Sequence, residues 1–92
     1  MIDVEFTVEA EADLAGLSKS VAQRILKKIR WLAENFEMIT PEPLTGEWKG
    51  LYKLRVGDYR ILYTFSVAKQ KVIVIHLVKH RREVYETKWG SG

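Results

Sequence analysis

Residues Leu51 to Tyr63 read LYKLRVGDYRILY, two alternating runs joined by Gly57-Asp58. A Gly-Asp pair between such runs suits a two-residue hairpin loop. With those two residues as the loop, Val56 faces Tyr59, Arg55 faces Arg60, Leu54 faces Ile61, Lys53 faces Leu62 and Tyr52 faces Tyr63. Strand side chains alternate between faces, so Tyr52, Leu54, Val56, Tyr59, Ile61 and Tyr63 form one apolar, aromatic face suited to packing against helices. Lys53, Arg55 and Arg60 gather on the other. Like charges directly opposed on a sheet repel, so this trio calls for solvent or for an anion such as phosphate.

The hairpin strands are expected at Trp48 to Val56 and Tyr59 to Val67; beyond them Ala68 to Lys71 marks a second turn, and Val72 to Lys79 is a nearly continuous apolar run rich in β-branched residues. Such a run suits an interior strand covered on both faces. His76 within it reads as a hydrogen-bonded core or boundary residue, because no second metal ligand accompanies it. His80 falls just past the strand end and opens the charged segment His80-Arg81-Arg82-Glu83-Val84-Tyr85, where chains commonly place functional groups. The turn accounts for Asp58, and pairing with Arg81 or Arg82 accounts for Glu83.

Upstream, Ile2, Val4, Phe6 and Val8 alternate with Asp3, Glu5 and Thr7, which predicts a half-buried strand. Thr7 or the Glu-rich turn after it starts a short helix carrying Ala10, Leu14 and Leu17 and weakened at Gly16. Ser18 or Ser20 caps a second helix running to about Phe36, whose stripe of Val21, Ala22, Ile25, Ile29, Leu32 and Phe36 repeats at helical spacing. Leu26 and Ala33 flank the stripe. Trp31 lies about a third of a turn away, a boundary residue in preference to an exposed partner contact. Pro41, Pro43 and Gly46 make Asn35 to Glu47 a connecting loop. The whole predicts an α+β fold: an N-terminal strand, a two-helix hairpin, then an antiparallel three-stranded meander forming one sheet, with both helices on the Tyr52 face.

Ninety-two residues suit one small domain, read as residues 1–88 followed by a flexible tail at 89–92 that ends Gly-Ser-Gly. A 47% apolar fraction with 29% charged residues is the balance of a folded chain, not a disordered one. No run is long and apolar enough to span a bilayer, and Asp3, Glu5, Glu9 and Glu11 stand where a signal peptide would be basic and apolar. A cytoplasmic protein without a membrane partner is expected. The chain has no cysteine, and its two histidines lack metal-site spacing, which argues against metal catalysis. Residues 1–44 carry five Lys/Arg against eight Asp/Glu, whereas residues 45–92 carry ten against four. Positive charge interleaved with aromatics in the strand-rich half suits binding to nucleic-acid phosphates or to an anionic protein.

The hairpin LYKLRVGDYRILY, followed by Lys79-His-Arg-Arg-Glu-Val-Tyr85, resembles the RelE branch of the RelE/ParE toxins. The resemblance extends over nearly the whole chain, including Leu44-Thr-Gly-Glu-Trp48. It implies a RelE/ParE-like fold and the toxin of a type II toxin–antitoxin system that cuts messenger RNA in the ribosomal A site. It implies further that the reaction needs no metal or other cofactor. A cognate antitoxin would hold the toxin inactive, in a hetero-oligomer that binds operator DNA. Carried over by position, the catalytic set is Lys53, Arg55, Arg60, His80 and Tyr85. Tyr85 matches a C-terminal catalytic tyrosine, and His80 falls where some relatives carry arginine. Lys49, Lys53, Arg55, Arg60, Arg81 and Arg82 are the phosphate-binding candidates. The alternatives are the gyrase-inhibiting branch of the same fold and a non-catalytic basic module.

Cleaving RNA without a metal requires a base for the 2′-hydroxyl, stabilisation of the phosphorane-like charge and a proton for the departing 5′-oxygen. Arginine offers a planar fork and lysine a point charge to the phosphate. A phenol with its ordinary pKa of about 10 is a poor base unless nearby cations favour the phenolate. The resemblance puts a base or proton-shuttle role for Tyr85 ahead of a stacking one, and His80 can donate a proton or hydrogen bond.

Overall fold

In the computed structural model, which describes residues 2–68 and 70–84, the hairpin forms in the expected register. Strand β3 (Tyr52–Val56) pairs antiparallel with β4 (Tyr59–Ser66), with Arg55 opposite Arg60 and Leu54 opposite Ile61. Gly57 takes φ 56° while Asp58 keeps a negative φ, the pattern of a type II′ loop that opens on glycine. Strand β5 (Val72–His80) then pairs antiparallel with β4, completing the meander. The N-terminal strand β1 (Asp3–Phe6) runs parallel to the far side of β5. A parallel pair needs a long crossover, and α1 (Val8–Ala15) and α2 (Lys19–Asn35) lie within it.

The sheet has five strands in the order β1-β5-β4-β3-β2, one more than expected. The extra strand, β2 (Glu42–Pro43), lies inside the stretch read as loop and pairs with Lys53 and Tyr52 at the edge of β3. An edge position is where a sheet tolerates proline. Three other boundaries move. The first strand stops at Phe6 because Thr7 turns the chain into α1, its hydroxyl accepting from the Ala10 N–H at 3.1 Å and donating to the His76 carbonyl at 3.1 Å. Val8, expected to face inward, is thereby left exposed. Trp48 belongs to a 3-10 turn at Gly46–Trp48, so β3 begins only at Tyr52. His80 closes β5 and does not follow it, and Arg81–Val84 forms a single-turn helix, α3.

Ser18 caps α2 by accepting from the Val21 N–H at 3.4 Å. Ile25, Ile29 and Leu32 of α2, with Phe36 just beyond it, bury against Leu54, Ile61, Tyr63, Ile73, Ile75 and Val78 of the sheet. Ala10, Leu14 and Leu17 of the α1 region join the same core, so both helices cover the face predicted for them. The flanking pair divides: Ala33 is buried where the Ile2 N–H reaches its carbonyl at 3.3 Å, while Leu26 is 43% exposed. A smaller cluster of Leu51, Leu62 and Leu77, packed by Leu44 and Trp48, covers part of the opposite face. Strand β5 is thus interior and apolar on both sides. No helix among the described residues is long and apolar enough to cross a membrane.

Candidate functional site: a cationic sheet face

Lys53, Arg55 and Arg60 share the sheet face turned away from the helices, as the pleat of the hairpin requires. Each is held differently. The Lys53 ammonium lies 3.0 Å from Glu42 across the β2–β3 pairing, a partly exposed pair of small energetic weight. Arg60 folds its Nη1 onto the carbonyls of Gly57 and Tyr59, each at 2.9 Å, which stiffens the loop without neutralising the guanidinium. Arg55 is exposed and has no ion-pair partner among the described residues.

A fourth cation, missed in the sequence, joins them. Lys79 stands directly opposite Arg60, so Arg55, Arg60 and Lys79 form a row across three strands spaced about 4.8 Å apart. Asp13 of α1 holds the Lys79 ammonium at 2.8 Å and accepts from the Val78 N–H at 3.0 Å, so one carboxylate ties helix to strand edge and offsets one charge of the row.

The cause is a β-bulge. Leu62 pairs with Leu77 and Tyr63 with Ile75, leaving His76 as the extra residue. The slip turns Lys79 onto the cationic face and sets His80 opposite Tyr59, on the helix-covered side. His80 is therefore not brought onto the face of Lys53, Arg55 and Arg60. It acts as the cap of α3: its Nδ1 accepts from the Arg82 N–H at 3.2 Å, and Glu83 Oε1 accepts from the His80 N–H at 3.3 Å, a reciprocal capping box. In this geometry the neutral ring carries its proton on Nε2 and presents it as a donor. Arg81 lies 3.8 Å from Asp58, a partner the sequence reading had assigned to the turn alone, and its N–H reaches the Asp58 carbonyl at 2.7 Å. Arg82 and Lys49 are exposed. Tyr85 and the tail at 89–92 lie outside the described residues. Among the described residues no three His, Asp or Glu side chains converge as metal ligands.

The bulged His76 has its Nε2 2.8 Å from the Thr64 hydroxyl, and burial pushes its pKa below the ordinary 6.5, with the charge of Glu9 opposing. A depressed folded-state pKa means that the fold favours the neutral ring. Its contribution is complete above 6.5 and is lost as pH falls through the lowered folded-state value. Denaturant unfolding followed from pH 8 to 5 is expected to show stability falling with pH, and His76→Gln should flatten that fall. An unchanged slope would assign the effect elsewhere.

The family model described as the ParE toxin of the type II toxin–antitoxin system parDE matches residues 4–85. The chain belongs to this family of toxins, and within the RelE/ParE superfamily it is RelE-like. It is 28% identical over 76 residues to Toxin RelE of Mycobacterium tuberculosis, covering 83% of this chain and 78% of that protein. Its fold superposes on the toxin–antitoxin complex RelBE2 of the same organism with TM-score 0.75 and 28% identity, over 87% of this chain and 98% of the other. The archaeal RelE–RelB complex of Pyrococcus horikoshii gives TM-score 0.64 at 28% identity, over 87% and 94% of the two chains.

Proposed function

We propose that this toxin is a metal-independent endoribonuclease that cuts messenger RNA in the ribosomal A site and so stops translation. The observation that carries the reading is the row Arg55, Arg60 and Lys79, with Lys53 beside it, on a sheet face that the helices leave uncovered. Such a face suits a phosphodiester whose charge grows in the transition state. Lys53, Arg55 and Arg60 hold and neutralise the scissile phosphate. Tyr85 moves the proton of the 2′-hydroxyl. Arg81, Arg82 and Lys49 bind flanking phosphates. His80, on the other side of the strand end, offers its Nε2 proton from the rim.

The partner is a cognate antitoxin, as the RelBE2 and Pyrococcus complexes suggest by likeness, and an acidic segment of it would cover the cations. The resulting hetero-oligomer binds operator DNA, and both work in the cytoplasm.

Translation-dependent cleavage mapping tests the reading. Cuts are expected within translated message, and Arg55→Ala should lower cleavage about 10- to 100-fold, the worth of one charge-assisted contact. A second reading, gyrase inhibition, is favoured by the ParE description of the matching family model. Absent cuts, with DNA supercoiling blocked instead, would decide for it.

A further inference from the structure

Positive charge is not confined to the sheet. Helix α2 presents Arg24, Lys27 and Lys28 along one flank, and among the described residues none of the three forms an ion pair. Trp31 sits in the same flank, 39% exposed, with the Lys28 ammonium 3.8 Å from its ring centroid. These four residues and Val56 line a groove of about 330 Å³ between α2 and β3. Arg24 and Val56 also line a second groove of about 240 Å³ that runs on past Asp58 to Tyr59. The two make one trench from Trp31 to the hairpin loop.

At that loop the trench meets the cationic face. A Cβ built on Gly57 would lie 3.3 Å from the Arg24 guanidinium, and Arg60 bonds the Gly57 carbonyl at 2.9 Å from the other side. Gly57 is thus flanked by an arginine on each face of the sheet. Among the described residues that line the two grooves Asp58 is the one carboxylate, and Arg81 stands 3.8 Å from it.

We infer that this trench is a second RNA site, and that a single strand leaving the cationic face passes over the hairpin loop onto the α2 flank. The inference rests on the nuclease reading above and extends it. Positions 27 and 28 each lie one helical turn from position 24, about 5–6 Å away, close enough to follow successive phosphates, and the indole offers a π-face for one base. A track that continues around the loop fits a long polyanion, whereas a short acidic peptide would need only one side of it.

The test is equilibrium binding of the purified chain to single-stranded RNAs of about 4 and about 12 nucleotides at several salt concentrations. For the long RNA, Trp31→Ala should weaken binding about 10- to 100-fold, and Trp31→Phe, which keeps a stacking ring, should restore most of it. Lys27→Ala with Lys28→Ala should lower the slope of log K against log salt by about 1.4, at about 0.7 per phosphate contact. The short RNA should respond to neither. If the long RNA also ignores both changes while Arg55→Ala weakens it, the trench is not an RNA site and the nuclease reading stands. If Arg55→Ala has no effect either, the nuclease reading falls and takes the inference with it. If an acidic amphipathic peptide, but not RNA, quenches the emission that Trp31→Phe removes, the trench belongs to a protein partner and the inference is overturned.

Discussion

Replacing Tyr85 with phenylalanine is expected to slow messenger-RNA cleavage by about 10²-fold or more while ribosome binding persists. The substitution keeps the ring and deletes only the hydroxyl, so it removes proton transfer and leaves stacking. A phenol of pKa about 10 becomes a useful base only where cations stabilise its phenolate. Residues 79–82 read Lys-His-Arg-Arg, so Tyr85 lies three residues past a basic stretch of the chain. Single-turnover cleavage on programmed ribosomes measures the chemical step apart from binding. Tyr85→Ala supplies the contrast: if the ring only stacks, the Phe variant is near normal and the Ala variant loses about 1–3 kcal/mol of RNA placement. Near-normal cleavage by the Phe variant would end the proton-transfer role, and the search for a base would pass to His80.

That fallback is weaker in the structure than in the sequence. The hairpin was legible because its signals are local: a Gly-Asp loop sets the register, and the register sets which side chains share a face. The helices were legible for the same reason, since Thr7, Ser18 and the stripe from Val21 to Phe36 each act within a few residues. What did not show was the bulge at His76, because one extra residue in a strand leaves no mark in an apolar run. Counting back from a plain Ser66–Val72 turn without it, Lys79 would fall opposite Tyr59 and His80 would point to the cationic side. With it, the two exchange faces. The strand β2 and the tie from Asp13 to Lys79 were hidden for a different reason, since both depend on residues brought together over long separations. The division of charge into an acidic and a basic half likewise concealed that Arg24, Lys27 and Lys28 of the acidic half stand beside the hairpin of the basic one.

The same contrast between pattern and packing sets the stability of the scaffold. Leu32 and Leu26 are both apolar residues of α2, yet Leu32 is 0% exposed against the sheet and Leu26 is 43% exposed beside Ile2 and Val4. Leu32→Ala is expected to cost about 2–5 kcal/mol, because it removes buried methyl groups and leaves a cavity that the close-packed Tyr63 and Phe36 cannot fill by small shifts. In a domain of this size each kcal/mol shifts Tm by about 4–8 °C, so the midpoint should drop by at least about 8 °C. Leu26→Ala removes surface that water already reaches and should cost less than about 1 kcal/mol. Thermal and urea unfolding of the two variants measures the difference directly. Equal losses would mean that Leu26 is packed as deeply as Leu32, and the placement of the α2 stripe on the sheet would have to be redrawn. The expected inequality also bears on function, because Leu32 and Ile25 hold α2 against the sheet and so keep Arg24 beside Gly57. A helix loosened at Leu32 should therefore lose RNA affinity at temperatures well below its unfolding midpoint, whereas the Leu26 variant should keep it.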